Sequence, residues 1–132
     1  KHLVEPLMNG VDVVMGSRFV RKQGRDSTKK LHIFGNKLFN FLIRILTKQR
    51  ITDSQTGFRA FRKKVLEEID ITCDGYEVET ELTMKTLKNG YVVHEEPITF
   101  ERRKNGCSHI NPLLDGIWIF KTIIVESIKA RN

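Results

Sequence analysis

The chain has 132 residues, 39% hydrophobic and 30% charged, which is enough for one compact core and too apolar for a disordered segment. Its net charge of +7 points to an anionic partner, whether nucleic acid, an acidic membrane or a phosphorylated small molecule. Cys73 and Cys107 stand alone without CxxC spacing, so neither a zinc site nor a disulfide framework is expected, and a reducing cytoplasm fits best.

The chain begins at Lys1-His2 without an initiator Met and runs straight into the helical-looking Leu3 to Gly10, so it reads as a cut piece. No stretch of about 18 apolar residues occurs, and no transmembrane helix is expected. Val11 to Arg18 is a short apolar run broken by Gly16, which predicts a buried strand that delivers Ser17 and Arg18 to its carboxyl end. In open α/β sheets that end is where ligands bind. The segment 20–30 carries Arg21, Lys22, Arg25, Lys29 and Lys30 around Gly24 without periodicity, and is expected to be a mobile basic loop.

Residues 31–48 form the clearest helix. Leu31, Phe34, Leu38, Phe41, Leu42, Ile45 and Leu46 share one face, with Asn36, Lys37, Asn40, Arg44 and Thr47 opposite. The apolar stripe is expected to face the core, a membrane-lying role being the alternative. Turn-formers around Asp53 then precede a short alternating run and a brief helix over 63–69. Asp53 by itself could be a simple turn acceptor.

Tyr76 to Asn89 predicts a helix closed by Gly90, with Glu77, Glu79 and Glu81 in its first turns, where the helix dipole favours acids. Tyr91 to Phe100 alternates as a strand, and Pro97 argues for an edge or a bulge. Residues 101–109 make a second cationic turn, suited to an anion through its glycine and backbone N–H groups. From Leu113 to Ile128 a broad apolar face opposes a narrow polar one of Asp115, Thr122 and Glu126, with Lys121 inside the apolar face. Lys beside Trp118 suits a lipid interface; a dimer seam or a docking face for another segment fits as well.

The motifs that run in order are Asp12 to Phe19, Gly35-Asn36, Thr52 to Phe61, Gly75 to Leu82, Gly90-Tyr91, Glu96-Pro97-Ile98 and Arg103 to Ser108. In this series the chain resembles the C-terminal portion of family 2 glycosyltransferases of the dolichyl-phosphate mannose synthase type. The resemblance implies an α/β fold, part of a GT-A (Rossmann-like) mixed sheet flanked by helices. Residues 1–110 would be the C-terminal half of the catalytic domain, and 111–132 an amphipathic membrane-interface or dimerisation helix. It also implies transfer of a sugar from a nucleotide-diphosphate donor to a polyprenyl phosphate, at the cytoplasmic face of a membrane, with Mg²⁺ or Mn²⁺.

Carried over position by position, the resemblance implies acceptor-phosphate contacts for Arg18 and Ser17, with Lys29 and Lys30 as weaker candidates. Donor-diphosphate contacts fall to Arg103 and Ser108, and acidic roles near the sugar to Glu81 and Asp53. No Asp-x-Asp motif occurs in the 132 residues, so no metal is expected on this piece and alone it would be inactive. Thr56 replaces a frequent Ser, and His109 a frequent Lys. Three other readings stay open: a family 2 enzyme with another acceptor, a basic binding module, or a half that pairs with a second copy. Nucleic acid is not expected, because no binding signature appears and the aromatics lie in helical stripes.

Overall fold

A computed structural model describes residues 2–20, 30–99 and 111–129. In chain order its elements are α1 (Glu5–Met8), β1 (Val13–Ser17), α2 (Lys30–Thr47), β2 (Arg59–Phe61), α3 (Lys63–Glu68), α4 (Val78–Lys88), β3 (Val93–Pro97) and α5 (Pro112–Ile128). The three strands form a mixed sheet in the order β2-β1-β3. β1 is antiparallel to β2 and parallel to β3. The fold is α/β, a sheet flanked by helices, consistent with part of a Rossmann-like GT-A architecture.

β1 is buried along its whole length, as expected of a continuous apolar run at the centre of a sheet. Val13 and Met15 join Val65 and Ile69, at and just beyond α3, in one apolar cluster. A second cluster joins Ile43 of α2, Met84 and Leu87 of α4, and Ile119 and Ile123 of α5, with Phe39, Leu42 and Val93 against it. α5 therefore shares a core with the helices that precede it.

Local chemistry sets the helix ends. Gly90 has φ of 79°, a left-handed conformation that closes α4 at low steric cost. The Asn111 side chain accepts hydrogen bonds from the Leu113 and Leu114 N–H groups, and Pro112 follows it in the first helical turn, so α5 starts where both residue types favour a start.

Gly16 is the closest approach in the sheet. A Cβ there would lie 2.7 Å from Ile98 Cγ2 and 3.2 Å from the Phe58 carbonyl oxygen. Gly16→Ala is expected to cost about 1–3 kcal/mol through this overpacking. Urea denaturation measures it, and a loss below about 0.5 kcal/mol would show that Ile98 yields freely.

The two long helices face the opposite way from the usual rule. Most of the apolar stripe of α2, expected in the core, is turned outward: Phe34 is 67% exposed and Phe41 57%, and Leu38, Ile45 and Leu46 are exposed as well, while Leu42 of the same stripe is half-buried against the core. What α2 buries is Asn36 and Ile43, with Phe39, Asn40 and Thr47 half-buried. The reason is a competition for the inner face: the turn after α2 needs hydrogen-bond partners, and Asn36 and Asn40 supply them. α5 behaves likewise. It buries Ile119, Thr122, Ile123 and Glu126 and exposes Leu113, Leu114, Ile117, Trp118, Phe120 and Ile128. Lys121 lies over the exposed Trp118 ring at 4.7 Å.

Candidate functional site at the carboxyl end of the central strand

The carboxyl ends of β1 and β3 lie side by side, with Ser17 opposite Pro97 in register. β2 is antiparallel, so its beginning and the turn before it reach the same edge. Three chain segments distant in sequence meet there.

Arg18 leaves β1 and forms a two-pronged ion pair with Asp53. Its Nε donates to Oδ2 at 2.6 Å and its Nη2 to Oδ1 at 2.7 Å. The Arg18 backbone N–H also donates to Oδ2, at 3.2 Å. Asp53 is fully buried and takes a fourth hydrogen bond, from Asn36 Nδ2 to Oδ1 at 2.9 Å. Such a fork-to-carboxylate pair is both strong and geometrically specific.

The backbone beneath Asp53 is held from β3. Glu95 accepts from the Thr52 N–H at 2.8 Å, the Thr52 hydroxyl at 3.0 Å and the Asp53 N–H at 3.1 Å. Because the Thr52 proton goes to Glu95, the Ser17 hydroxyl, 2.6 Å from the Thr52 hydroxyl, must be the donor of that pair. Ser17 Oγ in turn accepts from the Phe19 N–H at 3.1 Å. From α2, Asn40 donates to the Thr52 carbonyl at 2.7 Å and accepts from the Ser54 N–H at 3.0 Å.

Arg59 fastens the other side of the turn. Its guanidinium donates to the carbonyls of Ser54, Thr56 and Glu79 at 2.8–2.9 Å. Burial pushes its pKa down to about 10, against the pull of Glu79 and Asp53. It remains charged at neutral pH.

Of the residues singled out from the sequence, the structure brings Ser17, Arg18 and Asp53 into one cluster. Glu81 belongs to another. Its carboxylate accepts from the Thr72 N–H and hydroxyl, the Cys73 N–H and Lys85 Nζ at 2.7–3.1 Å, and it is fully buried. These bonds pin the 72–73 segment against α4. Burial would raise its pKa, but the Lys85, Cys73 and Thr72 hydrogen bonds prevail and hold it at about 2. Lys29, Arg103, Ser108 and the Lys30 side chain lie outside the described residues.

Glu95 and Asn40 gave no signal as site residues, since a strand glutamate and a helix asparagine look like surface positions. Asn36 stood out only within a motif. A clue did exist: Asn36, Asn40, Ile43 and Thr47 form an uncharged line at helical spacing, while Lys37, Arg44 and Lys48 flank the apolar stripe and are exposed with it.

Among the described residues, no group of three or more His, Cys, Asp or Glu side chains could hold a metal ion. Asp53 and Glu95, the carboxylates of the cluster, are engaged by Arg18 and by backbone N–H groups, so the described residues do not fit a divalent cation.

Fold and cluster together define an α/β protein whose paired strand ends present a fixed arginine. Comparison with known proteins adds the relationship. The chain is 33% identical over 112 residues to a polyprenol monophosphomannose synthase of Mycolicibacterium smegmatis, covering 83% of this chain and 42% of that protein. It is 30% identical to two proteins of Haloferax volcanii. One is a dolichyl-phosphate hexose transferase, matched over 93% of this chain and 52% of its own length. The other is glycosyltransferase AglJ, matched over 89% and 39%. The chain thus spans about half, or less, of the length of these curated relatives. No protein-family profile matches it, and no solved structure does. Over most of its length the chain is a relative of the polyprenyl-phosphate glycosyltransferases, the type that its motifs resemble.

Proposed function

We propose that this chain is the acceptor-side part of an enzyme that transfers a sugar from a nucleotide-diphosphate donor to a polyprenyl phosphate at a membrane surface. The observation that carries the reading is Arg18, locked by Asp53 at the shared strand edge. A phosphate monoester has a second pKa of about 6 and is mostly dianionic at neutral pH. It can attack the anomeric carbon without a strong base, and the protein's task is to hold anionic groups together. A fixed guanidinium suits that task.

Lys29, next to α2 in sequence, and Lys30, the first residue of α2, are candidates to add charge on the acceptor side. The chain leaves β3 bonded to β1, through the Ile98 N–H to the Ser17 carbonyl at 3.0 Å. In sequence Arg103 follows 5 residues after Ile98 and Ser108 10 residues after it, which supports their assignment to the departing diphosphate. Glu81 in this reading keeps α4 in place. Glycosyltransferases of this type generally use a divalent cation; Mg²⁺ or Mn²⁺ here would take donors from outside the described residues.

The outward faces of α2 and α5 are the membrane-facing surface in this reading. Exposed Phe34, Phe41, Ile117 and Trp118 would enter the interface, while Lys37, Arg44 and Lys121 meet anionic headgroups. No helix among the described residues is long and apolar enough to cross a membrane, so contact through these residues would lie along the surface.

Co-sedimentation with phosphatidylcholine vesicles tests both parts. Vesicles carrying undecaprenyl phosphate are expected to bind more protein than vesicles carrying undecaprenol, and equal binding would sink the acceptor assignment. The pair Phe41→Glu and Trp118→Glu is expected to weaken binding to both kinds by about thirtyfold or more, taking about 1 kcal/mol or more per residue. Undiminished pelleting, with a dimer in light scattering that these changes split, would place a second copy on that face instead.

A further inference from the structure

We infer that Asn36 and Glu95 are positioning residues that hold Arg18 in the orientation in which it meets a phosphate monoester. The inference rests on the reading of Arg18 as an acceptor-phosphate ligand, and adds how the surrounding fold sets its aim.

A lone carboxylate facing a guanidinium can swing about its side-chain torsions and carry the guanidinium plane with it. Asp53 is restrained, because its carboxylate is bonded from two elements besides the guanidinium fork itself. Oδ2 is held by the Arg18 backbone N–H of the β1 end, and Oδ1 by Asn36 of α2 at 2.9 Å. The Asn36 amide is itself oriented, since its Oδ1 accepts from the Ser54 hydroxyl at 3.4 Å. That leaves its Nδ2 directed at Asp53.

Glu95 acts one step lower, on the backbone. By taking the N–H groups of Thr52 and Asp53 together with the Thr52 hydroxyl, it sets the direction in which the Asp53 side chain leaves the turn. The Thr52 hydroxyl then receives the Ser17 hydroxyl, which ties the turn to the residue before Arg18. β1, α2, β3 and the 52–54 turn all converge on one guanidinium.

Asn36 is only 5% exposed, within a helix whose opposite face is rich in large apolar side chains. A buried amide in a helix is costly unless it is bonded, and its bonds here go to Asp53 and Ser54. Neither Asn36 nor Glu95 donates to or accepts from Arg18 directly in the described bonds, so both act through Asp53. Support of this kind keeps a charged ligand near its productive geometry, where small displacements are expensive.

The test uses Asn36→Leu, which keeps the side-chain branching and heavy-atom count and removes the amide, and the pair Glu95→Gln and Glu95→Leu. Gln retains an acceptor for the bonds now made to Oε1; Leu retains none. Binding of farnesyl phosphate is measured by calorimetry, and the Arg18 Nε–Hε signal by NMR. Asn36→Leu and Glu95→Leu are expected to weaken binding about tenfold and to broaden or shift that signal, while circular dichroism is unchanged. Glu95→Gln is expected to recover most of both.

If Asn36→Leu does not fold, the Glu95 pair carries the test alone. Binding within about twofold of the parent and an unmoved Arg18 signal in Asn36→Leu and Glu95→Leu, while Arg18→Ala loses binding, would overturn the positioning role. Undiminished binding by Arg18→Ala would overturn the phosphate reading first, and the inference with it.

Discussion

Arg18→Ala is expected to lower farnesyl phosphate affinity by at least about thirtyfold and to destabilise the fold by about 3 kcal/mol or more. The stability loss follows from an asymmetry in the pair. The Asp53 side chain is fully buried, while that of Arg18 is 20% exposed. Removing the arginine leaves a buried carboxylate without its ion-pair partner, held by neutral N–H donors and by the weaker pull of the Arg59 charge; removing Asp53 leaves a long cation that can turn toward water. Asp53→Ala should therefore cost less stability than Arg18→Ala, in urea denaturation at neutral pH. The reverse order would remove the basis of the clamp.

Arg18→Lys separates charge from geometry. Lysine keeps the positive charge but has no planar fork, so it cannot reproduce the two parallel N–H···O bonds to Asp53. It is expected to keep the fold better than Ala yet bind farnesyl phosphate several-fold less tightly than the parent. In a sugar-transfer assay of the full-length enzyme, of which this chain is proposed to be the acceptor-side part, the same ranking should appear in turnover, with nucleotide-sugar binding left near normal. Full transfer by Arg18→Ala would dispose of the acceptor assignment.

Glu81→Ala is expected to destabilise the fold by about 3–5 kcal/mol, the cost of breaking a buried ion pair. Lys85 would lose its carboxylate, and the N–H groups of Thr72 and Cys73 their acceptor. Glu81 also governs acid stability. Its folded pKa of about 2 lies below the ordinary 4.5, so its contribution is present above pH 4.5 and fades as pH falls toward 2. A depression of that size corresponds to about 3 kcal/mol. Urea midpoints measured from pH 5 down to pH 2 should fall steeply in the parent and much less in Glu81→Gln. Parallel slopes would mean that other carboxylates drive acid unfolding.

Much of the local structure is legible in the sequence. The apolar run before Gly16 forms the central strand, Gly90 ends α4, and the ordered motifs identify the relatives that the comparisons find. These features depend on short stretches of chain, where glycine conformation, caps and apolar runs act directly. That Arg18 and Asp53 occupy one site was implied by the motif resemblance, but their direct pairing was not.

Tertiary structure decided the rest. Sequence periodicity establishes that α2 and α5 are two-faced, but the spacing of apolar residues does not say which face turns toward the protein interior. Asn36 and Asn40 won the inner face of α2 because the Asp53 turn had buried donors and acceptors to satisfy, and the Phe34, Leu38 and Phe41 stripe was left outside. Glu81 and Asp53, both candidate acids at the outset, sit in separate networks because one meets Lys85 on its own helix and the other meets Arg18, 35 residues away. A pair formed within one turn of helix follows from spacing; a pair formed across the sheet edge exists only once β1, α2 and β3 have been packed together.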